Sequence, residues 1–458
     1  MSPAPRRSFA VFVLATAAAL AQVPTEAAAR GLVGDRFREQ VRASLVQRHG
    51  ITWHFDRECV IGAFANGDPW VVGPVAIVGI EPAAVAVDGR VLHGSMLDPD
   101  PSTMAQGYDT ALFGDASGER YDAARNVALG IGTARPLDLQ PGHSLVSVKS
   151  RSDWKLIPQL ETAAVLTCLG EAPAPDAFRP PYVKGDKAVR CREVELDYSV
   201  LRRVPATLDA PSMEVTARAF ERLWLDHFPG WPVRYSHPVE NMPDYGRDQA
   251  ALIGTGALLL QTDVPNEQKR DLLVRMVQIG IDLHAALRGG CRWQGIGGHG
   301  GGRKLPILIA GLALHDEQML AIGRDFVSAV RRDGPGAFFA EDGQTFFVTE
   351  TSPGVWNQGF GGYGKQHDGL PEWGFSHSDH PNDDQAAWDK DPYRRCCSAN
   401  GWVGEALAAR MMGLVEAWHH PAFFAYMDRY MQVKHEEGWH RAWAPWQATM
   451  WDSYRSNY

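Results

Sequence analysis

EQKRDLLVRMVQIGIDLHAALRGGCRWQGIGGHGGGRKLPILIAGLAL, residues 267–314, is the stretch whose reading decides the fold. Apolar residues recur at helical spacing from Leu272 to Leu287 and again from Leu305 to Leu314, so two helices are expected on either side of a glycine-rich loop. The same spacing runs outward through SMEVTARAFERLWLDHF (212–228), DQAALIGTGALLL (248–260), DEQMLAIGRDFVSAVRR (316–332), WVGEALAARMMGLVEAW (402–418) and PAFFAYMDRYMQV (421–433). Pro265, Pro306 and Pro421 stand at or near the starts of such runs, where a missing N–H costs nothing. Heptads are not sustained and no short repeat is visible, so paired helices in an α/α toroid, complete or partial, are expected over 212–458.

Upstream the period changes. ITWHF (51–55), WVVGPVAIVGI (70–80), AAVAVDGRVL (83–92), HSLVSVKS (143–150) and AAVLTCL (163–169) are short β-branched runs split by Gly, Pro, Asn and Asp. That pattern predicts an antiparallel β-sandwich over 30–170. The Pro-rich EAPAPDAFRPPYVKGDK (171–187) ends the block and opens a surface linker over 171–211. The fold class expected is therefore α+β and multidomain, and roughly 430 residues at about 100–200 per domain agree.

Residues 1–29 have the plan of a cleavable secretory signal: Arg6 and Arg7, the apolar run Phe9 to Ala21, then small-residue sites at Ala19-Leu20-Ala21 and Ala27-Ala28-Ala29. The run is too short to span a bilayer, so a soluble periplasmic or secreted protein is expected. Removing Arg6, Arg7 and Glu26 with the signal shifts the formal charge from −9 to −10, a poor match for nucleic acid. Export also makes a dinucleotide an unsuitable ligand for the GxGxxG match at Gly295–Gly300, which a helix rather than a strand precedes. Six cysteines form no dense framework; the pairing considered joins Cys291 to one of Cys396 and Cys397.

Several clusters carry candidate chemistry. The loop GGCRWQGIGGHGGGRK (289–304) presents Trp293 and His299, with Arg303 and Lys304 at the start of the next helix, where an anion is favoured; the alternative is a turn with a solvated Arg-Lys pair. RYSHPVENMPDYGRDQA (234–250) gathers His237, Glu240, Asn241, Tyr245 and Arg247, or else is a capping segment built on Asn241 and Asp244. GGYGKQH (361–367) offers Tyr363, Lys365 and His367, with Trp356, Asn357 and Trp373 nearby as faces for sugar rings. Tyr393 and Arg394 precede the run at Trp402, and Arg394 suits either a carboxylate ligand or an ion pair between helices. His377, His380 and Asp383 are the weak candidates for a divalent metal, which is not favoured, and no redox cofactor is expected. No GxSxG is present, and Ser152–Lys155 matches SxxK only inside the β block. The C-terminal Trp439, Trp443, Trp446, Trp451 and Tyr454 read as helix packing and groove wall.

FANGDPWVVGPVAIVGI (64–80), GGHGGGRK (297–304), YRRCCSANGWVGEALAARMM (393–412) and WHHPAFFAYMDRYM (418–431) resemble a group of exported bacterial two-domain proteins whose plan is similar to toroidal polysaccharide lyases of the alginate and glucuronan type. The resemblance implies β-elimination of an anionic uronate polysaccharide. Asn241 with Arg247 or Arg303 would neutralise the carboxylate, His299 would act as base or neutraliser, and Tyr245 or Tyr363 as base and acid. Trp293, Lys304, Trp356, Lys365, Tyr393 and Arg394 would complete substrate binding. Two rivals remain: a glycoside hydrolase using Asp244 with Glu372 or Asp383, and a glycan-binding envelope protein without catalysis.

Overall fold

The computed structural model describes residues 41–113, 120–153, 159–229, 236–239, 246–295, 297–328, 337–349, 367–373, 398–432 and 439–458. The expected signal segment lies outside them. The chain from Leu32 to Tyr458 gathers into one compact unit, with strands in its first part and helices in its second.

The strands are β1 (Val41–Arg48), β2 (Ile51–Ala63), β3 (Pro69–Val72), β4 (Val75–Glu81), β5 (Val85–Val87), β6 (Arg90–Leu92), β7 (Ser95–Leu97), β8 (Leu137–Leu139), β9 (His143–Ser150) and β10 (Leu160–Leu169). Eight of them form a sheet in the order β7-β9-β10-β3-β2-β4-β8, with β1 also on β2. Its pairs are antiparallel except β3 with β10, which run parallel. The expectation of a wholly antiparallel arrangement is corrected at that pair: β3 and β10 are far apart in sequence, so no hairpin constrains their direction. Register shifts in β1–β2 and β2–β4 let the long β2 bend and serve three neighbours. The sheet curls around Ile51, Trp53, Ile77, Leu139 and Leu166.

Alternation along β10 explains how the sheet meets the helices. Ala164, Leu166 and Cys168 face the core inside the curl, while Ala163 and Val165 belong to the core shared with the helices. Both faces are therefore buried, which is why AAVLTCL reads as a continuous apolar run.

The helices are α1 (Met213–Arg218), α2 (Gly246–Leu260), α3 (Asn266–Arg288), α4 (Lys304–Leu314), α5 (Glu317–Leu320), α6 (Ile322–Asp325), α7 (Ala340–Gln344), α8 (Ala399–Met411), α9 (Val415–Trp418), α10 (Pro421–Gln432), α11 (Trp439–Ala442) and α12 (Pro445–Tyr454). A short antiparallel pair, β11 (Thr345–Phe347) and β12 (Pro371–Trp373), interrupts them. None of the described helices is long and apolar enough to cross a membrane. On α2 and α8, Gly254 and Gly404 face each other so closely that a Cβ on either would lie within 3.0 Å of the other helix's backbone.

Two expected elements differ. The run 212–228 is helical only over Met213–Arg218. Beyond it the carbonyls are taken by side chains from elsewhere: Trp224 accepts from Tyr182 Oη at 2.9 Å, Leu225 from Ser236 Oγ at 3.0 Å and Asp226 from Trp293 Nε1 at 2.9 Å. Tertiary partners thus replace the helical ladder. The 171–211 stretch, expected to lie on the surface, is anchored through Arg179, which is 1% exposed. Its guanidinium pairs with Asp282 on α3 at 2.5 Å and with Asp68 in the β2–β3 turn at 2.8 Å.

Candidate functional site

Helix α3 ends at Gly289 and the chain reaches α4 through the glycine loop. The structure assigns these glycines to packing against the protein itself. Gly302 has φ +91°, and a Cβ there would lie 2.8 Å from Ile253 Cδ1 and 2.9 Å from Ala250 Cα. A Cβ on Gly246, the first residue of α2, would lie 2.2 Å from Gly298 O and 2.9 Å from His299 Cα. Gln344 Nε2 donates to Gly297 O at 3.0 Å from α7. A Cβ on Gly401 of α8 would lie 2.6 Å from Arg247 O. The glycine loop, the start of α2, α7 and the start of α8 therefore meet at one junction, where His299 is partly exposed. Gly246→Ala is expected to push the loop off α2 and cost about 1–3 kcal/mol, because both obstructing atoms are backbone. A melting temperature equal to wild type would show that the loop yields freely.

Arg303 and Lys304 do not present charge to solvent; both are fully buried. Arg303 Nε and Nη2 bind Asp226 at 3.2 and 3.0 Å, Nη2 also donates to Gln249 Oε1, and Gln249 Nε2 lies 3.0 Å from His237 Nε2. The polar chain Asp226–Arg303–Gln249–His237 thus ties the 234–250 cluster to the glycine loop. Lys304 Nζ binds Asp342 and donates to Trp418 O at 2.6 Å, while Trp418 Nε1 donates to Asp342 at 2.8 Å. Burial draws the Lys304 ammonium below its usual pKa and Asp342 opposes that fall. Trp293 is also buried, with its indole N–H spent on Asp226 O. Cys291, considered above for a disulfide, is a buried free thiol.

Behind the loop lies a pair of carboxyls that the sequence reading missed. Glu341 on α7 and Glu405 on α8 are fully buried. Glu341 Oε1 accepts the Gly302 N–H at 2.5 Å, and the Glu405 carboxyl lies within hydrogen-bonding reach of Glu341. Burial pushes the Glu341 carboxyl up to about 7, and burial followed by repulsion from Glu341 holds Glu405 well above the carboxylate range. A signal was available: Glu405 is the lone acid in WVGEALAARMM, on a helix with no polar face.

Arg247 keeps a fifth of its side chain exposed, bonds Asp248 through Nε at 2.6 Å, and stacks its guanidinium 4.6 Å from the Trp443 ring centre. Glu372, considered for a hydrolase, is buried and bound to Arg429 at 2.6 Å. Asn241, Tyr245, Tyr363, Trp356, Lys365, Tyr393, Arg394, His377, His380, Asp383 and Asp244 lie outside the described residues. No group of three or more His, Cys, Asp or Glu suited to a metal occurs among the described residues. Comparison with known proteins found no matching family model, no similar curated protein and no similar solved structure.

Proposed function

We propose that the protein is an exported polysaccharide lyase that cleaves a uronate polymer by β-elimination, with the curled sheet as a β-sandwich module and the helices as a toroid. One observation carries the reading: the glycine loop bearing His299 is held against the first turn of α2, next to Arg247 and directly after the segment that ends in Tyr245. His299 is partly exposed on a loop fixed by close packing, a suitable mount for a group that must meet a substrate proton in one geometry.

In this reaction a uronate carboxylate must be neutralised before C5–H becomes acidic enough to lose its proton. Arg247 suits that role better than Arg303, whose charge is matched by Asp226 in the interior. Asn241 would share the neutralisation. His299 takes the C5 proton, the C4–O4 bond breaks as the C4–C5 double bond forms, and Tyr245 or Tyr363 returns a proton to O4.

The test is incubation of the mature protein with alginate, glucuronan and glycosaminoglycans. The expected result is growth of the unsaturated-uronate absorbance with at least one polymer, abolished in His299→Ala. Reducing ends formed without that chromophore would select a hydrolase. Binding without cleavage would select a glycan-binding protein, and either outcome sinks the lyase reading.

A further inference from the structure

A groove of about 480 Å³ runs between α2 and α12, within the range of about 300–1,000 Å³ usual for small-ligand sites. Pro211, Leu252, Trp443, Pro445 and Trp446 make its walls largely apolar, and Asp248 stands among them. The other polar side chains are already engaged. Gln447 Nε2 donates to Ala251 O at 2.7 Å and Thr255 Oγ1 at 2.9 Å, while its Oε1 accepts from Gly404 N at 3.0 Å. The Trp446 Nε1–H is buried out of reach of solvent and has no partner among the described residues.

We propose that this groove is a carbohydrate subsite that takes one pyranose ring of a polysaccharide chain. A pyranose has an apolar C–H face edged by hydroxyls. The Trp443 ring, partly exposed and steadied by the Arg247 guanidinium stacked 4.6 Å from its centre, offers a surface for that face. Asp248, on the same edge, accepts from sugar hydroxyls in the way it accepts from Arg247.

Position points the same way. Arg247 and Asp248 belong to the first turn of α2, whose leading residue Gly246 abuts the backbone of His299. A chain crossing the His299 loop would meet the groove within a turn of helix, so the groove binds a sugar unit flanking the one that reacts. The identity of the polymer rests on the proposed lyase function; the stacking site itself does not.

Oligomannuronate, oligoglucuronate and a neutral cello-oligosaccharide of equal length, titrated into the mature protein by calorimetry, test the inference. The wild type should bind at least one of them, and Trp443→Ala should raise Kd by about tenfold or more with an unchanged melting temperature. Trp443→Ala is the deciding variant, since Trp446 is buried and its replacement disturbs the core. No saccharide binding, or equal affinity in Trp443→Ala, would overturn the subsite. Unsaturated product formed with the same KM in Trp443→Ala also removes the subsite but leaves the lyase standing. Saccharide binding lost in Trp443→Ala, with no polymer giving unsaturated product, keeps the subsite and removes the lyase.

Discussion

Arg303→Ala should destabilise the protein by about 3–5 kcal/mol, the usual cost of stripping one partner from a buried ion pair. Asp226 is 1% exposed and binds Arg303 through both carboxylate oxygens. Without the guanidinium, its charge would stay buried without the cation that now matches it. Gln249 would lose its partner as well, releasing the link between the glycine loop and His237. The double variant Arg303→Met with Asp226→Asn should cost less than Arg303→Ala alone, because no uncompensated charge stays buried. Urea unfolding of the three proteins measures this. A loss under about 1 kcal/mol for Arg303→Ala would mean that water reaches Asp226 and that the core around the loop is open.

Stability should also fall as pH rises through neutrality, with Glu341 and Glu405 as the cause. Folding raises both carboxyls above their usual 4.5, so the folded state holds its protons more tightly than the unfolded chain does. That contribution is complete below about pH 4.5 and declines as pH rises through the folded value of Glu341, about 7. For Glu341 alone the loss is about 3 kcal/mol, and Glu405, raised in the same direction, adds to it. Arg303 and Lys304 are close by, but Asp226 and Asp342 already match their charges. Glu405→Gln removes one titrating group and the repulsion on the other. It should leave the melting temperature near wild type at about pH 5 and raise it at about pH 9. Parallel curves for the two proteins between those limits would show that the pair does not govern the pH response.

The two predictions concern residues that pattern reading treats in opposite ways. Arg303 and Lys304 stood out in the sequence as a basic pair at a helix start, and the expectation was an exposed anion site. Their partners Asp226 and Asp342 lie 77 and 38 residues away in the chain, and no local spacing announces such pairings. Glu405 went unnoticed as a single acid in an apolar run, and Glu341 as one of an adjacent Glu-Asp pair whose burial no local spacing announces. Only the crossing of α2 and α8 at Gly254 and Gly404, with α7 packed beside them, shows that the two acids share a space.

The glycine loop shows the same division. Its glycines marked it as backbone that a ligand could approach closely, presenting His299, Arg303 and Lys304. Composition could not say that the approaching atoms are Ile253, Ala250, Gln344 and the start of α2 rather than a ligand.

From local periodicity alone the order of elements was legible: strands through Leu169, then helices from Met213, with prolines at helix starts. Side-chain spacing repeats every two or 3.6 residues, and burial of one face imposes that signature wherever the element lies. Direction and partnership were not legible. The parallel β3–β10 pair, the short α1 and the anchored Arg179 all depend on groups distant in sequence. So does the choice between a cation that meets a substrate and one that neutralises a buried carboxylate. Desolvation decides that choice, because it is set by how many other elements close over the side chain, a quantity that exists only once the chain has folded.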